Sequence, residues 1–216
     1  MYKVSKLQRA LSYLVPIKIW KGSGTHNPVL ELFISGGQWQ LATEDAIYSD
    51  GNRYRPLRIA FHELRQHLSD SSSILVLGGG LGSALKVLER MQLNPYVTLV
   101  DIDETITAMA RKLYSAHHPR ARFETRDAAV FLTAVNDMYD LVVIDIFNSR
   151  VVPPFACTPE FLTACRSRVE PGGHLVMNYI VEGQKEWETF REVFRGIFPI
   201  YRIEESGANR ILIATV

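Results

Sequence analysis

Strong charge of either sign is missing from this chain. Lys and Arg number 24 against 23 Asp and Glu, a formal net charge of +1 over 216 residues. No global field therefore draws it to nucleic acid or to an anionic membrane. Cysteine is nearly absent. Cys157 and Cys165 are the two present, and they make neither a disulfide framework nor a Cys/His metal pattern. Two thiols suit a reducing compartment. Long uncharged apolar runs are lacking as well, and the opening "MYKVSKLQRALSYLVPIKIW" has no apolar signal-peptide core. The expectation is a cytoplasmic protein with no membrane partner and no nucleic-acid partner. Repeats and low-complexity segments are absent. The strongest basic cluster, "HHPRARFETR" with Arg120, Arg122 and Arg126, reads as a solvated strand entry. A hydrophobic share of 47% and a charged share of 22% suit a globular fold with one sizeable core and a small appendage.

What is present is a rhythm. From Gly51 onward, helical and strand patterns alternate. "PLRIAFHELRQHL" places Leu57, Ala60, Phe61, Leu64 and Leu68 on one helical face behind Pro56. "SILVL" is a short apolar run that stops at glycines and reads as a buried strand; "SALKVLERM" then resumes helical spacing. The alternation continues through "YVTLVDID", "ETITAMARKLY", "RFETR", "DAAVFLTAV" and "YDLVVIDIF". Next come the helix "TPEFLTACRSRV" with a Thr N-cap, a turn at "PGG", the strand "HLVMNYI" and the helix "QKEWETFREVFRGIF". Two strand-like runs, "IYRIEES" and "NRILIATV", close the chain. Gly207-Ala208 between them is too short for a helical crossover, which predicts an antiparallel pair. Before Gly51 the rhythm fails. "PVLELFISGGQWQLATEDAIYS" alternates apolar and polar residues and has Gly36-Gly37 where a hairpin turn belongs. The expected fold is α/β: a doubly wound, seven-stranded, mostly parallel sheet with a C-terminal antiparallel hairpin over residues 51–216, and a small β-rich N-terminal element over residues 1–50. The strand edges of that element predict a homodimer formed through it.

The chemistry gathers at strand ends. "ILVLGGGLGS" sets Gly78, Gly80 and Gly82 at the end of the first core strand, where bare backbone lets a ligand approach. Asp101 ends the next strand, about twenty residues on, where nucleotide folds keep a carboxylate for a vicinal diol. Asp103 follows two residues later. A dinucleotide fingerprint requires a third glycine where Ser83 stands. An adenosyl sulfonium has no pyrophosphate to cradle, and the terminal antiparallel hairpin favours that second type of site. Asp145 ends "YDLVVID" at the carboxyl end of a central strand, placed to take a proton from an attacking amine or to orient it. Asn148 and Tyr179 are candidates for the substrate side, with Asn178 beside Tyr179. Trp187, Phe190 and Phe194 fall at helical core spacing, and His62, His67, His117 and His118 show no partner in sequence.

From Gln38 to the C-terminus these motifs resemble the spermidine synthase-like branch of the class I S-adenosylmethionine-dependent transferases. The resemblance implies the Rossmann-like class I methyltransferase fold. "GGGLG" resembles the family's GGGDG turn. Asp101 of "VTLVDIDETI" is then the holder of the ribose hydroxyls, with Asp103 beside it. "RDAAVFL" resembles a GDA-type motif in which Asp127 accepts from the adenine amino group and Ala128 lies against the ring. Asp145 corresponds to the catalytic aspartate. "GGQWQLATEDAIYS" resembles the substrate-side hairpin, with Gln40 on the cofactor and Tyr48 at the catalytic centre. The implied cofactor is S-adenosylmethionine or decarboxylated S-adenosylmethionine, and the implied partner is a small-molecule amine or other nucleophile.

Two positions depart from the family. Aminopropyl-transferring members carry Asp where this chain has Leu81, and a second Asp where it has Asn148. The first acid would attract the amine of the decarboxylated cofactor and repel the carboxylate of the intact one, so its loss weakens that selection. A doubly charged diamine needs acids at both ends, because an unpaired ammonium costs several kcal/mol to desolvate. The expected function is a transferase that moves a methyl group, or atypically an aminopropyl group, to a small nucleophile. The alternatives are a true polyamine aminopropyltransferase, a catalytically silent nucleoside-binding protein, and an NAD-dependent oxidoreductase.

Overall fold

In a computed structural model, which describes residues 4–44 and 46–216, the chain begins with a short helix, α1 (Lys6–Leu11). A four-stranded antiparallel sheet follows in chain order: β1 (Ile17–Gly22), β2 (Leu30–Ser35), β3 (Gln38–Ala42) and β4 (Ile47–Ser49). The turn between β2 and β3 is Gly36-Gly37, both at positive φ, 55° and 74°. Two left-handed residues in a row are what a tight hairpin needs, and Ser35 pairs with Gln38 across it. Strand β2 alternates as the sequence predicts: Leu30, Leu32 and Ile34 are buried, while Glu31, Phe33 and Ser35 are half-exposed.

The remaining chain builds a second sheet. Helix α2 (Arg55–Glu63) leads to β5 (Ser73–Leu77), α3 (Ser83–Arg90), β6 (Tyr96–Asp101), α4 (Glu104–Tyr114), β7 (Ala121–Thr125), α5 (Ala128–Ala134) and β8 (Tyr139–Ile144). Then come α6 (Pro159–Arg166), β9 (Val169–Ile180), α7 (Gln184–Ile197), β10 (Tyr201–Ser206) and β11 (Asn209–Thr215). The seven strands lie in the order β10-β11-β9-β8-β5-β6-β7. Only β11 runs against the others, pairing antiparallel with both neighbours as the short Gly207-Ala208 link dictates.

Strands β5 and β8 are apolar on both faces because helices cover both. Ile74 and Val76 of β5 join Phe61, Leu85, Leu88 and Ile106 in one core cluster. Leu75 and Leu77 point the other way, to Phe131, Leu162, Phe190 and Phe194. Leu30, Leu32 and Leu41 of the N-terminal sheet enter the first cluster, so the small sheet extends the main core. Each fully buried Leu or Phe in these clusters contributes roughly 1.5–3 kcal/mol relative to exposure.

Three local readings change. Helix α1 was missed, although "SKLQ" carries its signal: Ser5 Oγ accepts from Gln8 N (3.1 Å) and Gln8 Oε1 accepts from Ser5 N (2.9 Å). The apolar spacing of Leu64 and Leu68 extended α2 too far, since the chain tightens after Glu63 into a 3-10 turn at Arg65–His67. "PGG" is no turn before β9 but an irregularity inside it, with Gly172 at φ 81° and the β8–β9 register shifting between Tyr139 and Leu141. Among the described residues no helix is long and apolar enough to cross a membrane.

The loop between β1 and β2 fastens the small sheet to the large one. Asp103 Oδ1 caps α4 by accepting from Thr105 N (2.9 Å) and Ile106 N (3.3 Å). Its Oδ2 accepts from His26 N (3.1 Å) and Asn27 Nδ2 (3.0 Å) of the loop. Burial alone would raise its pKa, but these bonds, led by that from Asn27, hold it below the ordinary carboxylate value. The stabilisation is complete above the unfolded carboxyl's pKa and is lost as pH falls through the lower folded value. Asp103→Ala, which removes a cap and an ionised acceptor together, is expected to cost about 2 kcal/mol or more in urea unfolding at pH 7.

Candidate active site

The glycine turn sits where the sheet order reverses direction in sequence, between β5 and β8, the place where open α/β sheets leave a crevice. Gly78 N and Gly79 N both donate to Val100 O (2.9 Å each), and Asp145 N donates to Leu77 O (2.8 Å). Gly78 has φ 86°, and a Cβ there would run into the Asp145 carbonyl oxygen. The bare backbone at Gly78 thus admits a neighbouring strand. At Gly80 (φ 51°) the nearest atoms belong to the Tyr48 ring, 3.7 Å from where a Cβ would stand.

Asp101 organises this end. Its Oδ2 accepts from Gly80 N (2.8 Å) and its Oδ1 from Asp103 N (3.0 Å). Burial pushes its pKa up to about 6, and the two backbone bonds oppose that rise. Beside it opens a cavity of about 210 Å³. The cavity is lined by Gly78, Asp101 and Ile102 on one side, Asp127 and Ala128 at the head of α5, and Ile146, Phe147 and Asn148 after β8. Tyr48, His26 and Asn27 reach in from the N-terminal element. Asp127 caps α5 by accepting from Val130 N (3.0 Å). A buried acid, apolar walls and a second acid match the chemistry of a nucleoside with an exocyclic amine.

Asp145 lies across the turn from that cavity. Its Oδ1 accepts from the Tyr54 hydroxyl (2.9 Å) and from Asn178 Nδ2 (2.8 Å). Asn178 Nδ2 also donates to the Tyr54 hydroxyl (3.1 Å). The residue is half-buried, and burial of the carboxyl pushes its pKa up to about 6 against the pull of those two donors. Burial, followed by the field of Asp145, keeps the Tyr54 hydroxyl well above its usual pKa, and burial with the fields of Asp101 and Asp145 does so for Tyr48. Both phenols are therefore neutral donors at physiological pH.

The sequence candidates thus divide. Gly78, Asp101, Asp127, Ala128, Tyr48 and Asn148 line the cavity, and Asp145 lies beside it. Gly80 touches Asp101 through its N–H; Gly82, at φ 93°, is the N-cap of α3, with the Tyr114 ring nearest to where its Cβ would lie. Three candidates lie elsewhere. Asp103 is fully buried as a helix cap and loop anchor. Gln40 donates to Asp50 Oδ1 (2.9 Å), an acid shared with Arg53. Tyr179 falls on the opposite face of β9 from Asn178, as the strand's two-residue period requires, and stacks on Phe190 at 4.6 Å. Tyr54, His26 and Asn27 were missed. Tyr54 stands just before Arg55-Pro56 at a helix N-cap, where Ser, Thr or Asp is usual, and that substitution was the available signal. Ser83, at the position of the third fingerprint glycine, bonds Ser49 Oγ (2.7 Å) and accepts from Asp50 N (3.2 Å). That glycine's place is thus taken by a tether to the small sheet.

A protein-family model described as the spermine/spermidine synthase domain matches residues 61–200, well over half of the chain. The chain belongs to that family. The polyamine aminopropyltransferase of Vibrio vulnificus is 28% identical over 148 residues, 65% of this chain and 49% of that protein. The chain therefore spans about half the length of this curated relative. The crystal structure of a probable spermidine synthase from Corynebacterium glutamicum superposes with a TM-score of 0.76 at 17% identity, covering 91% of this chain and 79% of that one. A spermidine synthase in complex with the transition-state analogue AdoDATO superposes at 0.70 and 18% identity, covering 92% and 73%. At these identities the superpositions establish a shared fold, the Rossmann-like architecture of the spermidine synthase-like branch.

An ionised carboxyl accepts from a diol more strongly than a protonated one does. If Asp101 meets a ribose, affinity for methylthioadenosine, measured by calorimetry, is expected to be flat above pH 7 and to weaken below about pH 6, by no more than about tenfold per pH unit. Asp101→Asn should flatten that dependence and weaken binding throughout.

Proposed function

We propose that this chain transfers an aminopropyl group from decarboxylated S-adenosylmethionine to a small amine. The observation that carries the reading is Asp145, a carboxylate at the sheet's switch point held by Tyr54 and Asn178 with a pKa of about 6. Family membership and the names of the relatives supply the reaction class. The sulfonium, when bound, supplies an electrophilic carbon: the amine nitrogen forms a bond to it while the C–S bond breaks and its electron pair returns to sulfur. Asp145 takes the proton that the amine sheds. A base with a pKa near 6 is mostly ionised at neutral pH and can do so. Asp101 holds the ribose hydroxyls, and Asp127 with Ala128 the adenine. Tyr48 covers the turn from above and narrows the approach of the nucleophile. Residues 1–50 act as the covering element and residues 51–216 as the cofactor-binding domain. Leu7 and Leu14, 69% and 81% exposed, support self-association through the covering element.

A second reading rests on Leu81. It is 1% exposed within the core cluster, where aminopropyl-transferring members carry an acid. With no carboxylate there to repel it, intact S-adenosylmethionine has a place, and methyl transfer is the corresponding activity.

Side-by-side titration with S-adenosylmethionine, its decarboxylated form and methylthioadenosine separates the two. Aminopropyl transfer predicts tighter binding of the decarboxylated form and its consumption with putrescine. Preference for the intact cofactor, with methylated product, establishes the second reading instead. Asp145→Asn is expected to lower kcat by about 100-fold or more with cofactor affinity nearly unchanged. In the unmodified protein kcat should rise with pH through about 6.

A further inference from the structure

The polar network behind Asp145 extends one residue beyond the groups that touch it. Asn178, 2% exposed, gives its Nδ2 to Asp145 and Tyr54. Its Oδ1 accepts from Asn209 Nδ2 at 2.8 Å. Asn209 opens β11 opposite Ile180, and Asn178 lies opposite Ile211. The two asparagines are therefore diagonal neighbours on one face of the antiparallel pair, within side-chain reach.

Donor and acceptor counting fixes this arrangement. A carboxylate can only accept, so Asn178 must turn its NH2 edge to Asp145. The carbonyl edge then points into the protein and needs a donor, since a buried amide oxygen without one is costly. Among the described residues Asn209 is that donor. Remove it, and the amide loses the donor that fixes and polarises it, so its NH2 edge holds the carboxylate less firmly.

We propose that Asn209 is a positioning residue: by donating to the carbonyl edge of Asn178 it holds and polarises the NH2 edge that faces Asp145, and thereby sets how readily that carboxylate takes a proton. This rests on Asp145 being the base of the reaction above. The titratable groups facing Asp145 are Tyr54 beside α2 and Tyr48 on β4, and both stay protonated across the range in which the carboxylate titrates. A change in its titration therefore reports on the amide.

The test is the titration of the Asp145 carboxyl carbon by NMR in the full chain without ligand, in the wild type, Asn209→Ala and Asn209→Asp. Asp145→Asn supplies the assignment. The wild-type midpoint is expected near 6. Asn209→Ala removes the donor without adding charge and is expected to raise the midpoint by about half a pH unit to one unit. Asn209→Asp removes the donor and adds a carboxylate whose charge raises the midpoint as well, so it should raise it further, and the rise counts for the proposal only together with one in Asn209→Ala. The acid limb of the kcat profile should move with the midpoint, while affinity for methylthioadenosine stays within about twofold. Folded variants whose midpoint stays within about 0.2 units of wild type overturn the proposal. If Asn209→Asp fails to fold, Asn209→Ala decides alone, because truncating a half-buried side chain leaves the β9–β11 backbone bonds in place. If the wild type transfers nothing to any amine, the proposed reaction falls, and the titration still decides whether Asn209 controls Asp145.

Discussion

A carboxylate placed almost out of reach of water has to be matched by donors, and Asp101 is matched by two backbone N–H groups from different parts of the chain. One comes from the glycine turn after β5, the other from the turn before α4. That pairing closes the ends of two neighbouring strands around one acid. The positive φ values of Gly78, Gly80 and Gly82 let the first turn curl back far enough to present Gly80 N. The crevice is what remains between this closed corner and β8. Asp145 stands at its edge, brought to the Gly78 backbone by the β5–β8 register of Leu77 with Ile144.

The two acids use burial differently. Asp101 receives backbone donors, which cannot be mutated away and which hold its geometry. Asp145 receives side-chain donors from Tyr54 and Asn178, remote in sequence from it and from each other. Backbone donors suit a group that has to hold a ligand. Side-chain donors that are themselves part of a network suit a group whose proton has to move, because the network can respond as charge develops.

The division between what the sequence disclosed and what it did not follows from the range of the interactions. "SILVL", "YVTLVDID" and "YDLVVID" revealed their strands because burial on both faces leaves apolar runs. The acids at their ends were legible because strand ends open onto the crevice in any fold of this kind. The short link at Gly207-Ala208 gave the direction of β11. Tyr54, Asn178 and Asn209 meet only through the sheet order β11-β9-β8 and the docking of α2, and no local pattern encodes that meeting. Asp103 and Tyr179 show the opposite limit. Each has the chemistry and the neighbourhood of a ligand-binding group, but the chain turns into a helix at Asp103, and the strand's period sends Tyr179 to the far face. The resemblance puts Gln40 on the cofactor, while its amide here donates to Asp50 in the small sheet's own polar corner.

The fastening of the loop at His26 and Asn27 onto Asp103 has a thermodynamic consequence. Asp103 N donates to Asp101, so the acid beside the cavity and the acid that anchors the N-terminal sheet share one turn of three residues. Ligand that orders this turn lowers the entropy still to be lost when the loop docks, and a docked loop equally lowers the cost of binding. The small sheet, which also lends Tyr48, His26 and Asn27 to the cavity wall, and any ligand of that cavity are thus partners in a single equilibrium, each raising the occupancy of the other.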